Sequence, residues 1–439
     1  MKKFLLISVT SVVLSLSVFA NVIVSGDAIP DVSILPQNAN AYVTTSKPIV
    51  NQEEQEKYVQ NYLTNYYRVW TQKTPTYSLN ELNISYKSNR FISSPGVGEN
   101  LSPYTSSTFQ VIANETQTGT FGKLLKPAVV IRSTNLRLMP TILPQYSDAD
   151  STPFDNLQES GIYYGTPVVV IGETQDHSWY FVQTSSDSNA WIEASDIAFV
   201  TQQQIKQVMA SKSYVIANLD NQPIMNQNGV VVTTTRFGNI YPVTSQDGLK
   251  WSILGWGKKT ELGRAQIISM SIPKSAGDAF PLQMTQANVA NMINLQLGQP
   301  YGWGDAFGYR DCSSTQRDLM AIFGIWLQRD TEKYNTVGQV FSLKNMTNQE
   351  KLSLISQMGK PFRTLLLMKG HVMLYIGNYE GRPVMFQQFW SSAVQEGDNW
   401  IYYNEKQSEI SFVNSGVQNS LAQTSGILTA INSMIILGE

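Results

Sequence analysis

From residue 123 to residue 274 the chain is written in short apolar runs. "AVVIRSTNLRLMP", "GTPVVVIGETQDHSWYFVQTSS" and "NAWIEASDIAFV" come first, and "KSYVIANLDNQPIMNQNG", "RFGNIYPVTSQDGLKWSIL" and "RAQIISMSI" follow. Each run is rich in β-branched or aromatic residues, and each is soon cut by Gly, Asn, Asp or Pro. Helices of ordinary length do not survive such breakers, whereas short strands joined by tight turns use them. The segment is therefore expected to fold as small β-barrels. "QDHSW" and "QDGLKW" hold matching places, each a turn leading into a Trp-bearing strand. Two successive barrels are expected, at 123–200 and 201–274, with two unrelated sheets as the alternative.

On either side the texture differs. Asn, Gln, Ser and Thr dominate up to about Asn51, which suggests an extended chain. "QEEQEKYVQNYLTNYYRVW" then places Tyr58, Tyr62, Leu63, Tyr66, Val69 and Trp70 at near-helical spacing. Residues 71–125 read as loops plus one helix near "TSSTFQVIANET". Beyond the barrels, "IPKSAGDAFPL" reads as a linker, and Thr285 caps a helix over "TQANVANMINLQLG". A chain of 439 residues exceeds one ordinary domain. The segments expected are 1–20, 21–122, 123–200, 201–274 and 275–439.

The first of these, "MKKFLLISVTSVVLSLSVFA", has two lysines, an apolar core and small residues before Asn21. That is a signal peptide with cleavage after Ala20, and its apolar core is short for a membrane span. No cysteine lies near the cleavage site, which excludes lipoprotein processing. A periplasmic or secreted location is expected, with no integral span after signal removal. Net charge is −2 and Lys and Arg are scattered, so the basic footprint of a nucleic-acid binder is absent.

Export sharpens the meaning of the one cysteine, Cys312 in "YRDCSST". A single cysteine forms no intramolecular disulfide, and one Cys with two His makes a metal site implausible. No metal and no cofactor is expected. An inert buried thiol and a nucleophile remain. "SSTQRDLMAIFGIWL" places Leu319, Met320, Phe323 and Leu327 at helical spacing, so Cys312 sits at a helix start. Ser313 and Gln316 fit a capping box, and Asp311 is itself a good cap. Unpaired N–H groups and the helix dipole there favour a thiolate. The preceding Gly-rich "YGWGDAFG" lets a substrate backbone approach.

A thiol nucleophile needs a base. His177 lies in a polar turn and reads as an exposed turn residue. His371 opens the alternating strand "HVMLYIG", "NYEG" turns, and "PVMFQQFW" returns. Pairing Gly377 with Arg382 places His371 opposite Gln387 or Gln388. Either amide would orient the imidazole, and a satisfied core histidine is the alternative.

"YGWGDAFGYRDCSS", "GHVMLYIG" and "FQQFW" resemble the cysteine, histidine and third-residue motifs of the NlpC/P60 peptidases. "FDNLQES", "NLRLMPT" and "FGNIYPV" resemble the subgroup with an N-terminal clip domain and two bacterial SH3-like barrels. The resemblance implies an α+β multidomain protein. Its papain-like catalytic domain, helices packed on an antiparallel sheet, would follow two small SH3-like β-barrels and a mostly helical and loop N-terminal domain. It implies Cys312 as nucleophile, His371 as base and Gln387 as the third residue, with Gln388 the alternative. The family commonly has His at that third position, and a Gly after the Trp that stands here at 390, where this chain has Ser391.

The function implied is hydrolysis of peptidoglycan stem peptides between γ-D-glutamate and the following diamino acid. The backbone N–H of Cys312 and the hydroxyl of Tyr301 are the oxyanion candidates. By resemblance Asp311 and Ser313 bind a free L-alanine amine, although Asp311 also serves as a helix cap. Trp303 either walls the groove or packs its own loop, and Asp155 of the first barrel closes the pocket. Two other readings stand beside this one: a non-catalytic wall-binding protein with a decayed site, and acyl transfer on the same fold. The protein is expected to act as a monomer.

Overall fold

The computed structural model describes residues 22–24, 29–82, 84–116, 121–257, 260–396, 399–414 and 427–438. The expected signal peptide lies outside these residues. The chain divides into two compact units. One comprises Met1–Tyr58, Gln283–Gly302 and Tyr309–Glu439; the other comprises Val59–Leu282 and Trp303–Gly308. The fold is a mixture of helices and sheets, as expected, and the sheets are antiparallel except where Val22–Val24 pairs in parallel with Asn399–Tyr403.

In the second unit the short runs form two seven-stranded antiparallel sheets. The first spans Lys126–Val130 to Ile197–Phe199 and the second Tyr214–Ala217 to Gly277–Phe280. Val168, Val170, Val182, Ile192 and Ile197 fill the core of the first. Fully burying each contributes about 1.5–3 kcal/mol. The two similar turns work alike. Asp176 Oδ1 accepts from Ser178 N at 3.0 Å, and Asp247 Oδ1 accepts from Leu249 N at 2.8 Å. Each carboxylate thus replaces a backbone acceptor in the turn before its Trp strand.

Three expectations need correction. "IPKSAGDAFPL" is no linker, because Gly277–Phe280 pairs with Tyr214–Ala217 and completes the second sheet. Four residues are too few for alternation to stand out. Residues 71–125 hold two further helices, Leu79–Leu82 and Ile84–Ser93. Their Asn and Ser content is unfavourable to helix, but burial of Leu82, Ile84 and Phe91 overrides it. The polar stretch before Asn51 is not wholly extended, since Asp31–Ile34 and Ala39–Tyr42 are short helical turns.

The first unit is built on one six-stranded antiparallel sheet. Its elements are α1 (Gln286–Asn294), α2 (Cys312–Ala321), β1 (Gly338–Ser342), α3 (Asn348–Met358), β2 (Thr364–Met368), β3 (His371–Tyr379), β4 (Arg382–Phe389), β5 (Gln407–Phe412) and β6 (Ile431–Leu437). The strand order is β1-β6-β2-β3-β4-β5. Thr285 caps α1 as predicted, its hydroxyl accepting from Asn288 N at 3.0 Å. Leu343, Ile355, Leu366, Met373, Met385 and Met434 form the core on one sheet face. The N-terminal segment belongs to this unit. Asp31 Oδ2 accepts from Phe412 N of β5 at 3.2 Å, and Arg363 donates to Ile49 O at 2.9 Å.

Candidate active site

Cys312 is the first residue of α2. The cap is Asp311, whose Oδ1 accepts from Ser314 N at 3.1 Å while the Ser314 hydroxyl accepts from Asp311 N at 2.9 Å. The capping box is therefore Asp311–Ser314, not Ser313–Gln316. Asp311 has the extended backbone that a cap needs, whereas Ser313 is already helical. The helix ends at Ala321, earlier than the apolar spacing suggested. Gly324 takes φ +81, and Ile325 N–H returns to Met320 O at 3.1 Å. Phe323 and Leu327 are buried beyond the helix.

His371 opens β3 as predicted. Lys369-Gly370 is a two-residue turn between β2 and β3, with Gly370 at φ +80. The Cys312 Sγ lies 3.9 Å from the Gly370 carbonyl oxygen. The backbone N–H of Val372 also reaches the thiol. So the sulfur rests against the backbone on both sides of His371.

The register of the next hairpin decides which glutamine meets the histidine. Glu380 and Gly381 both have positive φ and form a two-residue turn, so Tyr379, not Gly377, pairs with Arg382. Gly377 pairs with Val384, but after Ile376 the count slips by one: Tyr375 pairs with Met385 and Leu374 with Phe386. Ile376 is a bulge residue. Paired residues share a face, as do residues two apart. With the bulge, Phe389 falls opposite His371 and Gln387 lies on the face of His371. Without it the same count would present Gln388. The contacts agree: His371 Nε2 and Gln387 Oε1 are 3.0 Å apart, and the His371 and Phe389 ring centroids are 4.6 Å apart. Gln388 turns away and donates to Gln299 O at 3.1 Å.

The amide orientation follows from its other end. Gln387 Nε2 donates to Ser411 Oγ of β5 at 3.0 Å, which leaves Oε1 as the acceptor toward His371. This network assigns the proton to Nε2 and leaves the lone pair on Nδ1.

Burial sets the electrostatics. Desolvation pushes the Cys312 thiol up to about 12. The Asp311 charge adds to this, and Arg329 and the N–H groups of Val372 and Ser313 oppose it. Desolvation lowers His371 to about 4, against the Gln387 hydrogen bond and the Asp311 charge. Loss of solvent at the half-buried Cys312 thus acts against the dipole-stabilised thiolate expected from the sequence. Both shifts favour the neutral thiol and the neutral imidazole.

The remaining expected site residues fall into two groups. In the first unit, Asp311 is buried and ion-paired with Arg329 through Oδ2. The Ser313 hydroxyl bonds to Arg329 and to Asp311 Oδ1, the latter at 3.3 Å. The Tyr301 ring packs edge-on against Trp390, with centroids 5.8 Å apart. In the second unit, Trp303 Nε1 donates to Asp155 O at 3.0 Å, and its ring packs on Phe154. The Asp155 carboxylate accepts from Arg137 Nη1 at 2.6 Å and from Gln145 N and Leu157 N at 2.9 Å. Its oxygens are thus committed within the barrel. His177 is exposed, with Nδ1 3.0 Å from Glu173 Oε2. Sequence reasoning missed Arg329 and Ser411. Arg329 stands in a stretch without periodicity, but Ser411 sits at an alternate polar position of "SEISF", a signal that was legible.

Comparison with known proteins finds family models over two parts of the chain. The model described as the NlpC/P60 stabilising domain, N-terminal, matches residues 9–121. A model of an SH3 domain of the SH3b1 type matches residues 144–193. No curated protein matches. Among solved structures, an NlpC/P60 endopeptidase from Photobacterium damselae subsp. piscicida is 22% identical with a TM-score of 0.79, covering 95% of this chain and 99% of its own. An NlpC/P60 family protein from Bacillus cereus ATCC 10987 is 15% identical with a TM-score of 0.47, covering 68% of this chain and 98% of its own.

Proposed function

We propose that this chain, which matches models of the NlpC/P60 stabilising domain and of an SH3b-type domain, is a cysteine peptidase acting on cell-wall peptides. The observation that carries this reading is the His371–Gln387–Ser411 relay beside the Cys312 helix start. The relay holds one imidazole nitrogen protonated and leaves the other free as a base. No helix among the described residues is long and apolar enough to cross a membrane. The signal-like N-terminal segment supports an exported protein whose SH3b domain binds the wall.

The proposed bond is γ-D-glutamyl to a diamino acid, in a stem peptide with a free L-alanine. In the reaction the thiol swings from the Gly370 carbonyl toward His371 Nδ1 and gives up its proton. The sulfur attacks the γ-carbonyl carbon, and the oxyanion takes the Cys312 N–H and the Tyr301 hydroxyl. The imidazolium returns the proton to the leaving amine, and water then hydrolyses the thioester. The upward shift of the thiol and the downward shift of the imidazole favour proton transfer that accompanies attack rather than preceding it. Asp311 and Ser313 are the proposed amine contacts. Since Arg329 already pairs with Asp311, a substrate ammonium shares that carboxylate.

A second reading, a wall-binding protein without catalysis, draws on one observation, the thiol resting on backbone rather than on the imidazole. Digestion of defined stem peptides, with products weighed by mass spectrometry, separates the two. The expected result is cleavage after γ-D-glutamate by the wild type and none by Cys312→Ser, with an unchanged circular dichroism spectrum. Persistence of cleavage in Cys312→Ser overturns the peptidase. An N-acetylated tripeptide is expected to be cut about tenfold more slowly, one charge-assisted hydrogen bond being lost. Equal rates remove the amine pocket and leave Asp311 a cap.

A further inference from the structure

β5 places Glu409 directly opposite Gln387. Ser411, two residues on, shares that face and holds the Gln387 amide. Glu409 is 1% exposed, and among the described residues the Gln387 amide approaches its carboxyl group without completing a hydrogen bond of ordinary geometry. A buried carboxylate without donors is disfavoured, so the group keeps its proton. Desolvation, then the charge of Glu405, push its pKa up to about 8; the Gln387 amide opposes and Asp31 adds. The charged groups acting on it are thus acidic. The basic side chains nearby in the chain, Arg382 and Lys406, lie over the rings of Phe412 and Trp390.

The Gln387 amide has two N–H bonds, and Ser411 takes one. Accepting His371 as the base, we propose that Glu409 is a positioning residue for His371 that acts through the Gln387 amide. Protonated, it offers that amide only a neutral carbonyl oxygen, a weaker acceptor than a carboxylate. Ionised, it accepts the second amide N–H and sets a negative charge behind the imidazole. A glutamine cannot carry the charge that would stabilise an imidazolium, and Glu409 supplies it from one strand further on. An anion in that place favours the protonated imidazole, so His371 becomes a stronger base as Glu409 loses its proton to solvent.

The chain has two histidines, which makes the test direct. His177 is exposed, with φ +57, a conformation Asn tolerates. In His177→Asn, imidazole nitrogen NMR reads His371 alone. The expected result is an Nε2-protonated tautomer whose signals move between about pH 7 and 9, around the Glu409 ionisation. That movement is lost in His177→Asn/Glu409→Gln. In parallel, kcat/KM rises over the same range in the wild type and stays flat in Glu409→Gln. A His371 signal that stays constant there in His177→Asn, or a shift that survives Glu409→Gln, overturns the proposal. The titration of His177→Asn decides alone if Glu409→Gln does not fold. Because it needs no turnover, it also stands apart from the peptidase reading.

Discussion

His371 carries the sharpest predictions at the scale of single residues. Its imidazole must be neutral to act as a base, and burial holds it near 4. The acid limb of kcat/KM is therefore expected near pH 4, well below the ordinary histidine value of about 6.5. A limb near 6.5 in a rate profile would mean that the ring is solvated in the working enzyme. His371→Ala is expected to lower kcat/KM by about 10²–10⁴-fold. Gln387→Ala should cost less, because an uncharged amide supplies orientation rather than the proton acceptor. Gln388→Ala should cost least, since that side chain meets Gln299 and not His371. Measuring all three on one substrate tests the ranking, and a Gln388→Ala defect as deep as Gln387→Ala contradicts the register.

At the scale of elements, the start of α2 combines a helix cap with an ion pair. Asp311 both closes the capping box and neutralises Arg329, and both side chains are buried. Removing one partner strands the other. Asp311→Asn and Arg329→Met are each expected to destabilise by about 3–5 kcal/mol, whereas the double variant loses less than the sum. Urea unfolding of the four proteins gives the coupling. Additive losses would show that the pair is not what orders the helix start. The same logic applies to β3, where one bulge at Ile376 selects the amide that His371 meets. A one-residue slip exchanges the two faces of a strand, so the choice rests on a backbone irregularity rather than on side-chain chemistry.

For the molecule as a whole, the buried acid of β5 links stability to pH. The folded-state pKa of Glu409 is raised from 4.5 to about 8. Between those values the folded chain binds a proton that the unfolded chain has released. Stability is then largest below the unfolded pKa and falls as pH rises through the folded one, by a few kcal/mol. His371 acts in the opposite sense on the acid side. Its depressed pKa removes stability as pH falls from about 6.5 to about 4. Thermal melts between about pH 6 and 8 should show a declining Tm in the wild type and a flatter one in Glu409→Gln. A wild-type Tm that does not fall over that range would place the Glu409 carboxyl in contact with water.

Local rules made the outline of this protein legible from residues alone. Asp311 before Cys312 marks a helix start because a cap acts within three residues of itself. His371 marks a strand because alternation has a period of two. Breakers within the apolar runs of 123–274 permit little besides short strands. Other features have no local cause. The bulge at Ile376 chooses Gln387 over Gln388, and it arises from how two strands pair. Arg329 reaches Asp311 across eighteen positions of sequence, with no periodicity to announce it. The shifts of Cys312 and His371 toward their neutral forms come from desolvation. Burial is contributed by every element packed around a group, so it exists only once the chain has folded.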